Sequence, residues 1–416
     1  MARTSLPVTL DDVLAAQVLL RGIVRPTPLE FSRALSDRVG ADVYLKCENL
    51  QRAGSFKIRG AYSRMSRLSD DEKARGVVAA SAGNHAQGVA LAAQMLGIKA
   101  TVFMPLGAPI PKLMATRGYG ADVELLGTSI DECLVRARQF ETETGAVLIH
   151  PFDHVDIVAG AGTCGLEVLE QCPDVRTILV SVGGGGLLAG IATVVKAKRP
   201  DVRVIGVQAD KAAAYPQSLA AGKPVPLARM ATMADGIAVG CPGEVPYAII
   251  SELVDTIETV SEEMLSRALL FLLERAKLVV EPAGAAAVAR LLDAGKGAHE
   301  GPVVAVLSGG NIDPLLLLRI IRHGLAAAGR YLQFRVRVPD SPGSLAELLA
   351  DLAGADANVL EIAHVRTEAT LPVDEVEIEV QVETKGHAHC EELLAALREK
   401  GYSLAFSPRT AWRRGP

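Results

Sequence analysis

Between roughly residues 10 and 325, short β-branched apolar runs alternate with Ala- and Leu-rich stretches of helical period. Residues 77–80, 100–104, 122–126, 177–182, 202–208 and 303–307 read as strands. Residues 86–96, 130–144 and 187–198 read as helices, each following one of those runs. This rhythm of short β-branched runs and helices predicts an α/β domain with open, mostly parallel sheets.

The pattern changes after Gly329. Residues 331–338 alternate as a strand, 343–353 form an amphipathic helix that Gly354 can end, and 358–366 and 374–383 alternate again. A helix over 387–398 and a short strand over 402–406 complete the order β-α-β-β-α-β, an α+β ferredoxin-like unit. The expected domains are therefore 1–328, with a smaller subdomain over about 55–155, and 329–416. The basic tail, 407–416, is expected to fray.

Composition narrows the function classes. The 416 residues carry a net charge of −5 with mixed signs and 4% aromatics, which disfavours nucleic-acid surfaces and base stacking. The six cysteines, Cys47, Cys133, Cys164, Cys172, Cys241 and Cys390, include no C-x-x-C pair, so neither zinc nor a redox dithiol is signalled. Residues 1–17 lack the apolar core of a secretory leader, and no apolar run is long enough for a membrane span. The expectation is a cytoplasmic protein with reduced thiols.

Several loops carry candidate chemistry. Gly54-Ser55-Phe56-Lys57-Ile58-Arg59-Gly60 sets a lysine among small and apolar residues. Burial there disfavours the ammonium and makes the amine a nucleophile, although most lysines are merely solvated. Gly183, Gly184, Gly185 and Gly186, with Leu187, lie between a strand and a helix. Their N–H groups can converge on an oxyanion, where a plain turn needs one or two glycines. Gly184-x-Gly186-x-x-Ala189, with Asp210 beyond the next strand, also fits a dinucleotide fingerprint loosely; that reading leaves Lys57 without a task. Ser81, Ala82, Gly83, Asn84 and His85 offer N–H groups and an amide at a helix start, suited to a substrate carboxylate, with His85 read as structural. Ser308 closes the last strand of the larger domain and can hydrogen-bond a heteroaromatic nitrogen.

Together these stretches resemble the fold-type II (tryptophan synthase β-like) pyridoxal-phosphate enzymes, specifically the threonine dehydratases. The matching segments are Lys46-Cys47-Glu48-Asn49-Leu50-Gln51, the Lys57 and Ser81 segments, the tetraglycine loop, Val280-Glu281-Pro282-Ala283-Gly284 and the segment from Ser308 to Asp313. The resemblance implies pyridoxal 5′-phosphate carried as a Schiff base on Lys57, with Phe56 before it. Asn84 would face the ring hydroxyl, Gly183 to Leu187 the phosphate and Ser308 the pyridine nitrogen. The implied reaction converts L-threonine to 2-oxobutanoate and ammonia; L-serine or 3-hydroxyaspartate are the alternative substrates. Serine racemases of this family carry a second acid/base serine where this chain has Ala82, which implies elimination rather than racemisation. Relatives that bind a divalent cation have acids where Gln208 and Ala214 stand, so no metal is expected there.

The C-terminal unit resembles an ACT domain through its strand order and Asp340-Ser341-Pro342-Gly343-Ser344-Leu345. That resemblance implies a small amino-acid effector, isoleucine or valine, held by Asp340, Ser341, Pro342, Gly343, Ser344 and Asn358, although a domain of this kind can serve assembly alone. A homodimer or homotetramer is implied. A sensor with a degenerate catalytic domain is the rival from another class; intact Lys57, Asn84, Ser308 and glycine loop speak against it.

Overall fold

A computed structural model describes residues 6–366 and 372–406. The expected basic tail lies outside the described residues. The chain divides into two compact units between Pro314 and Leu315. The helix Pro314–Ala327 thus falls almost wholly with the second unit, ahead of the boundary expected at residue 328.

The first unit contains two sheets. The larger takes β1 (Leu29–Phe31) and β2 (Val43–Lys46) from the start of the chain. The smaller is built from β3 (Val77–Ala80), β4 (Ala100–Met104), β5 (Asp122–Leu125) and β6 (Val147–Leu148), all parallel, in the order β5-β4-β3-β6. The chain then returns to the larger sheet with β7 (Thr177–Ser181), β8 (Arg203–Ala209), β9 (Thr256–Val260) and β10 (Val303–Val306), in the order β1-β2-β10-β7-β8-β9. Only β1 runs antiparallel there. Every residue of β3, β4, β7 and β10 is buried, which is why these runs lack polar alternation.

The helices Val155–Gln171 and Gly186–Lys198 pack against each other in the main core. Their backbones nearly touch: a Cβ on Gly190 would lie 2.4 Å from the Val158 carbonyl oxygen. Any side chain there would force the helices apart.

A buried ion network fixes the helix Lys57–Ser66. The fully buried Arg59 guanidinium donates to both Glu48 carboxylate oxygens at 2.8 Å and to Thr163 Oγ1 at 3.1 Å, and meets Glu167 Oε1 at 2.7 Å. Lys46 Nζ closes the network, 2.6 Å from Glu167 Oε2 and 2.9 Å from Gln171 Oε1. Two cations thus balance two carboxylates, and each charge has hydrogen-bond partners, the condition under which burial is tolerated.

The second unit has one antiparallel sheet of β11 (Tyr331–Pro339), β12 (Asn358–Val365), β13 (Glu375–Glu383) and β14 (Ser403–Ala405), in the order β12-β13-β11-β14. The helices Ser344–Gly354 and His387–Glu399 supply Leu348, Leu352, Leu393 and Leu397 to a core with Phe334, Val336, Ile378 and Val380. This is the expected ferredoxin-like order. The other sheet face carries the charges, with Arg335 and Arg337 both paired to Glu377.

Candidate active site

The site forms where the ends of β7 and β10 meet the loops of the smaller sheet. Ser308 lies two residues past the end of β10. The Phe56 N–H donates to the Ser308 carbonyl at 3.2 Å and the Gly310 N–H to the Gly54 carbonyl at 2.9 Å. These bonds bind the segment before Lys57 to the end of β10. Lys57 opens its helix and turns Nζ inward, where it donates to the Pro151 carbonyl at 2.8 Å. The ammonium also lies 5.1 Å from the Phe56 ring centroid. Burial pulls the Lys57 pKa down to about 8, against the opposing pull of Glu281. Roughly a tenth of this amine is therefore unprotonated at neutral pH, a far larger share than for a solvated lysine.

The glycine loop joins β7 to the helix Gly186–Lys198. Gly185 has φ +100°, the left-handed region, and a Cβ there would strike the Tyr215 hydroxyl. At Gly184 a Cβ would lie within 2.4 Å of the Phe152 ring. Tyr215 donates to the Gly184 carbonyl at 3.2 Å, while its own N–H donates to the Gln208 side chain at 3.0 Å. Gln208 is thus a brace behind the loop. Neither position has room for a side chain, so the loop presents bare backbone at a helix N-terminus, suited to a phosphate.

Ser81 to Gly83 lead into the helix Asn84–Leu96. Ser81 Oγ accepts from the Gly83 N–H at 3.1 Å, tightening the turn. His85 Nε2 lies 2.7 Å from the Ile149 carbonyl oxygen, and burial drives its pKa down to about 3, so the ring is neutral. Asn84 donates to Glu281 Oε1 at 2.5 Å, and its own Oδ1 accepts from Asn311 at 2.9 Å. Ser308 Oγ accepts from Ser181 Oγ at 3.0 Å, both side chains buried.

A cavity of about 740 Å³ brings Phe56, Lys57, the Ser81–His85 turn, the four glycines with Leu187, and Ser308 to one place. Several lining residues have no counterpart among the expected site residues. Glu281 is buried, its Oε2 has no partner, and burial raises its pKa to about 7, with Lys112 opposing and Asp235 adding to the rise. Lys112 reaches Asp235 at 2.5 Å across the cavity. Ser181, and His150 with Phe152, complete the wall. His150 Nδ1 accepts from the Asp153 N–H at 2.8 Å and so shapes the loop that presents the Pro151 carbonyl to Lys57.

In the second unit, Asp340, Ser341, Pro342, Gly343 and Ser344 line a separate cavity of about 430 Å³ with His364 and Arg366. Asn358 does not join them. It pairs with Glu383 at one end of the sheet, whereas Asp340 follows the opposite end of β11.

Residues 20–309 match the family model described as pyridoxal-phosphate dependent enzyme. The chain is 46% identical over 398 residues to an L-threonine ammonia-lyase of Thermotoga maritima, covering 95% of this chain and 99% of that one. It is 47% identical over 397 residues to an L-threonine ammonia-lyase of Geobacter sulfurreducens, covering 95% and 98%. Among solved structures, a threonine deaminase isoform from Solanum lycopersicum, in its processed form, superposes with a TM-score of 0.70 at 38% identity, over 75% of this chain and 93% of that one. Maize serine racemase superposes with a TM-score of 0.71 at 34% identity, over 77% and 98%.

Proposed function

The chain belongs to the pyridoxal-phosphate-dependent enzymes, and on that premise we propose that it deaminates L-threonine by way of dehydration, giving 2-oxobutanoate and ammonia. The observation that carries the reading is a buried lysine of lowered pKa facing the same cavity as a glycine cradle at a helix N-terminus. The residues fit the cofactor. The four glycines bring bare backbone at a helix N-terminus to the cavity wall, Ser308 offers an uncharged hydroxyl, and the unpartnered Glu281 oxygen belongs to the same lining.

When bound, pyridoxal phosphate supplies the electron sink that makes the Cα–H bond of an amino acid acidic. Gly183 to Leu187 hold the phosphate, and Asn84 and Ser308 orient the ring. Ser308 carries no charge that would hold a pyridine nitrogen protonated, which moderates the sink and favours loss of a β-substituent. The Ser81–His85 turn receives the substrate carboxylate with helix N–H groups. Lys57 Nζ is the base for the Cα proton, and burial enlarges the share of the amine that is free to accept it. The Ala82 methyl offers no proton to the opposite face, so elimination prevails over inversion. The β-hydroxyl leaves as water, a water is taken back in hydrolysis, and threonine yields one 2-oxobutanoate and one ammonia.

The cavity beside Asp340 to Ser344 supports regulation by isoleucine or valine in an ACT-type domain, and a homodimer or homotetramer is the expected assembly. A cytoplasmic location fits the reduced cysteines, all six of which are free. Among the described residues no helix is long and apolar enough to cross a membrane. The reaction is tested by measuring 2-oxo acid release from threonine, serine and 3-hydroxyaspartate. Threonine should give the highest kcat/KM; release from none of the three would refute the proposal.

A further inference from the structure

Lys112 is a charged group that the chemistry above leaves without a task. It sits in the first turn of the helix Ile110–Gly118, beside the smaller sheet, and is 5% exposed. Its Nζ crosses the cavity to Asp235 Oδ2 at 2.5 Å, on a short helical turn that belongs to the other side of the cleft. Asp235 is more than half exposed, so water screens the pair from one end only. The ammonium lies 3.7 Å from the point that a Cβ on Gly83 would occupy. It therefore stands over the turn that opens the helix Asn84–Leu96. That turn offers only the partial charge of a helix N-terminus, roughly half an elementary charge. A carboxylate seated on it comes within ion-pair reach of the Lys112 ammonium.

We propose that Lys112 is a binding residue for the α-carboxylate of the substrate, held in readiness by Asp235. The assignment rests on the reading of the Ser81–His85 turn as the carboxylate seat. The ammonium has three donors, so it can turn one toward an arriving carboxylate while Asp235 yields its share. Burial strengthens the new pair, because less water competes for either charge.

The test compares two ligands without a β-leaving group, L-2-aminobutanoate and its carboxamide, titrated into the holoenzyme and followed by its visible spectrum. Lys112→Met should weaken the acid by about tenfold or more, the scale of a charge-assisted hydrogen bond, and leave the carboxamide within about threefold. Lys112→Arg should recover part of the loss. Equal weakening of both ligands, or of neither, overturns the assignment. Should Lys112→Met fail to yield holoenzyme, Asp235→Asn decides: freed of its competitor, the ammonium should bind the acid about twofold to fivefold more tightly with the carboxamide unchanged. Unchanged or weaker acid binding in that variant refutes the proposal. A holoenzyme with the predicted contrast that releases no 2-oxo acid would sink the proposed reaction and leave Lys112 standing. Turnover without the contrast would do the reverse.

Discussion

Replacing Glu281 by Gln should make the protein more stable at alkaline pH while leaving it unchanged in acid. Glu281 is almost wholly buried, one carboxylate oxygen has no partner, and burial raises its pKa from 4.5 to about 7. A carboxyl with a raised folded pKa keeps its proton in the native state after the unfolded chain has released it. Stability is thus lost as pH rises from about 4.5, and the loss is complete above about 7. That displacement corresponds to roughly 3 kcal/mol at pH 8. Gln keeps an oxygen to accept from Asn84, preserving the contact made at 2.5 Å, and carries no charge to bury. The assay is thermal unfolding of cofactor-stripped protein, so that ligand binding adds nothing to the midpoint. The Gln variant should melt on the order of 5 °C higher than the parent at pH 8, with the difference vanishing near pH 4.5. A variant less stable at pH 8, or a difference that does not change with pH, would show that Lys57, Lys112 and Asn84 already compensate the carboxylate in full.

Removing the Arg59 guanidinium as Arg59→Met strands Glu48 in the core and should cost about 3–5 kcal/mol, read as a lower melting midpoint; adding Glu48→Gln should recover part of it. A harmless Arg59→Met would contradict the network's role. Gly184→Ala drives a methyl into the Phe152 ring and should weaken pyridoxal phosphate binding by about tenfold or more, measured by titrating the stripped protein. Unaltered affinity would mean that the loop does not form the phosphate seat. Capture of the cofactor needs the neutral Lys57 amine, so its rate should rise with pH and level off above about 8, in a stopped-flow series. A rate still climbing steeply past pH 9 would place the reactive amine in water.

Much of this architecture is legible along the chain because local pattern and tertiary role agree. The run Val77–Ala80 is wholly apolar and Ala100–Met104 is apolar but for Thr101, and both become buried parallel strands. The helix Ile130–Thr144 is amphipathic between a Ser129 cap and Gly145 in the left-handed region. The Val155–Gln171 helix is hidden by its glycines Gly160, Gly162 and Gly165, which score poorly for helix and are there to let other helices approach. Short strands such as Leu29–Phe31 and Val147–Leu148 owe their existence to partners supplied elsewhere. The same distinction runs through the site. The glycine loop announces itself by composition and Lys57 only in company with the other loops, whereas the Glu281–Asn84 and Lys112–Asp235 contacts join residues more than a hundred positions apart. The Asp340 turn is readable as a loop, but the distance of Asn358 from it depends on strand register and direction, which no local motif encodes.

The account turns on Lys57, and borohydride reduction of the holoenzyme followed by peptide mapping tests it most directly. The predicted result is loss of the visible absorbance, with one phosphopyridoxyl group on the peptide that contains Lys57. A label on Lys112 or any other lysine, or none at all, would contradict it.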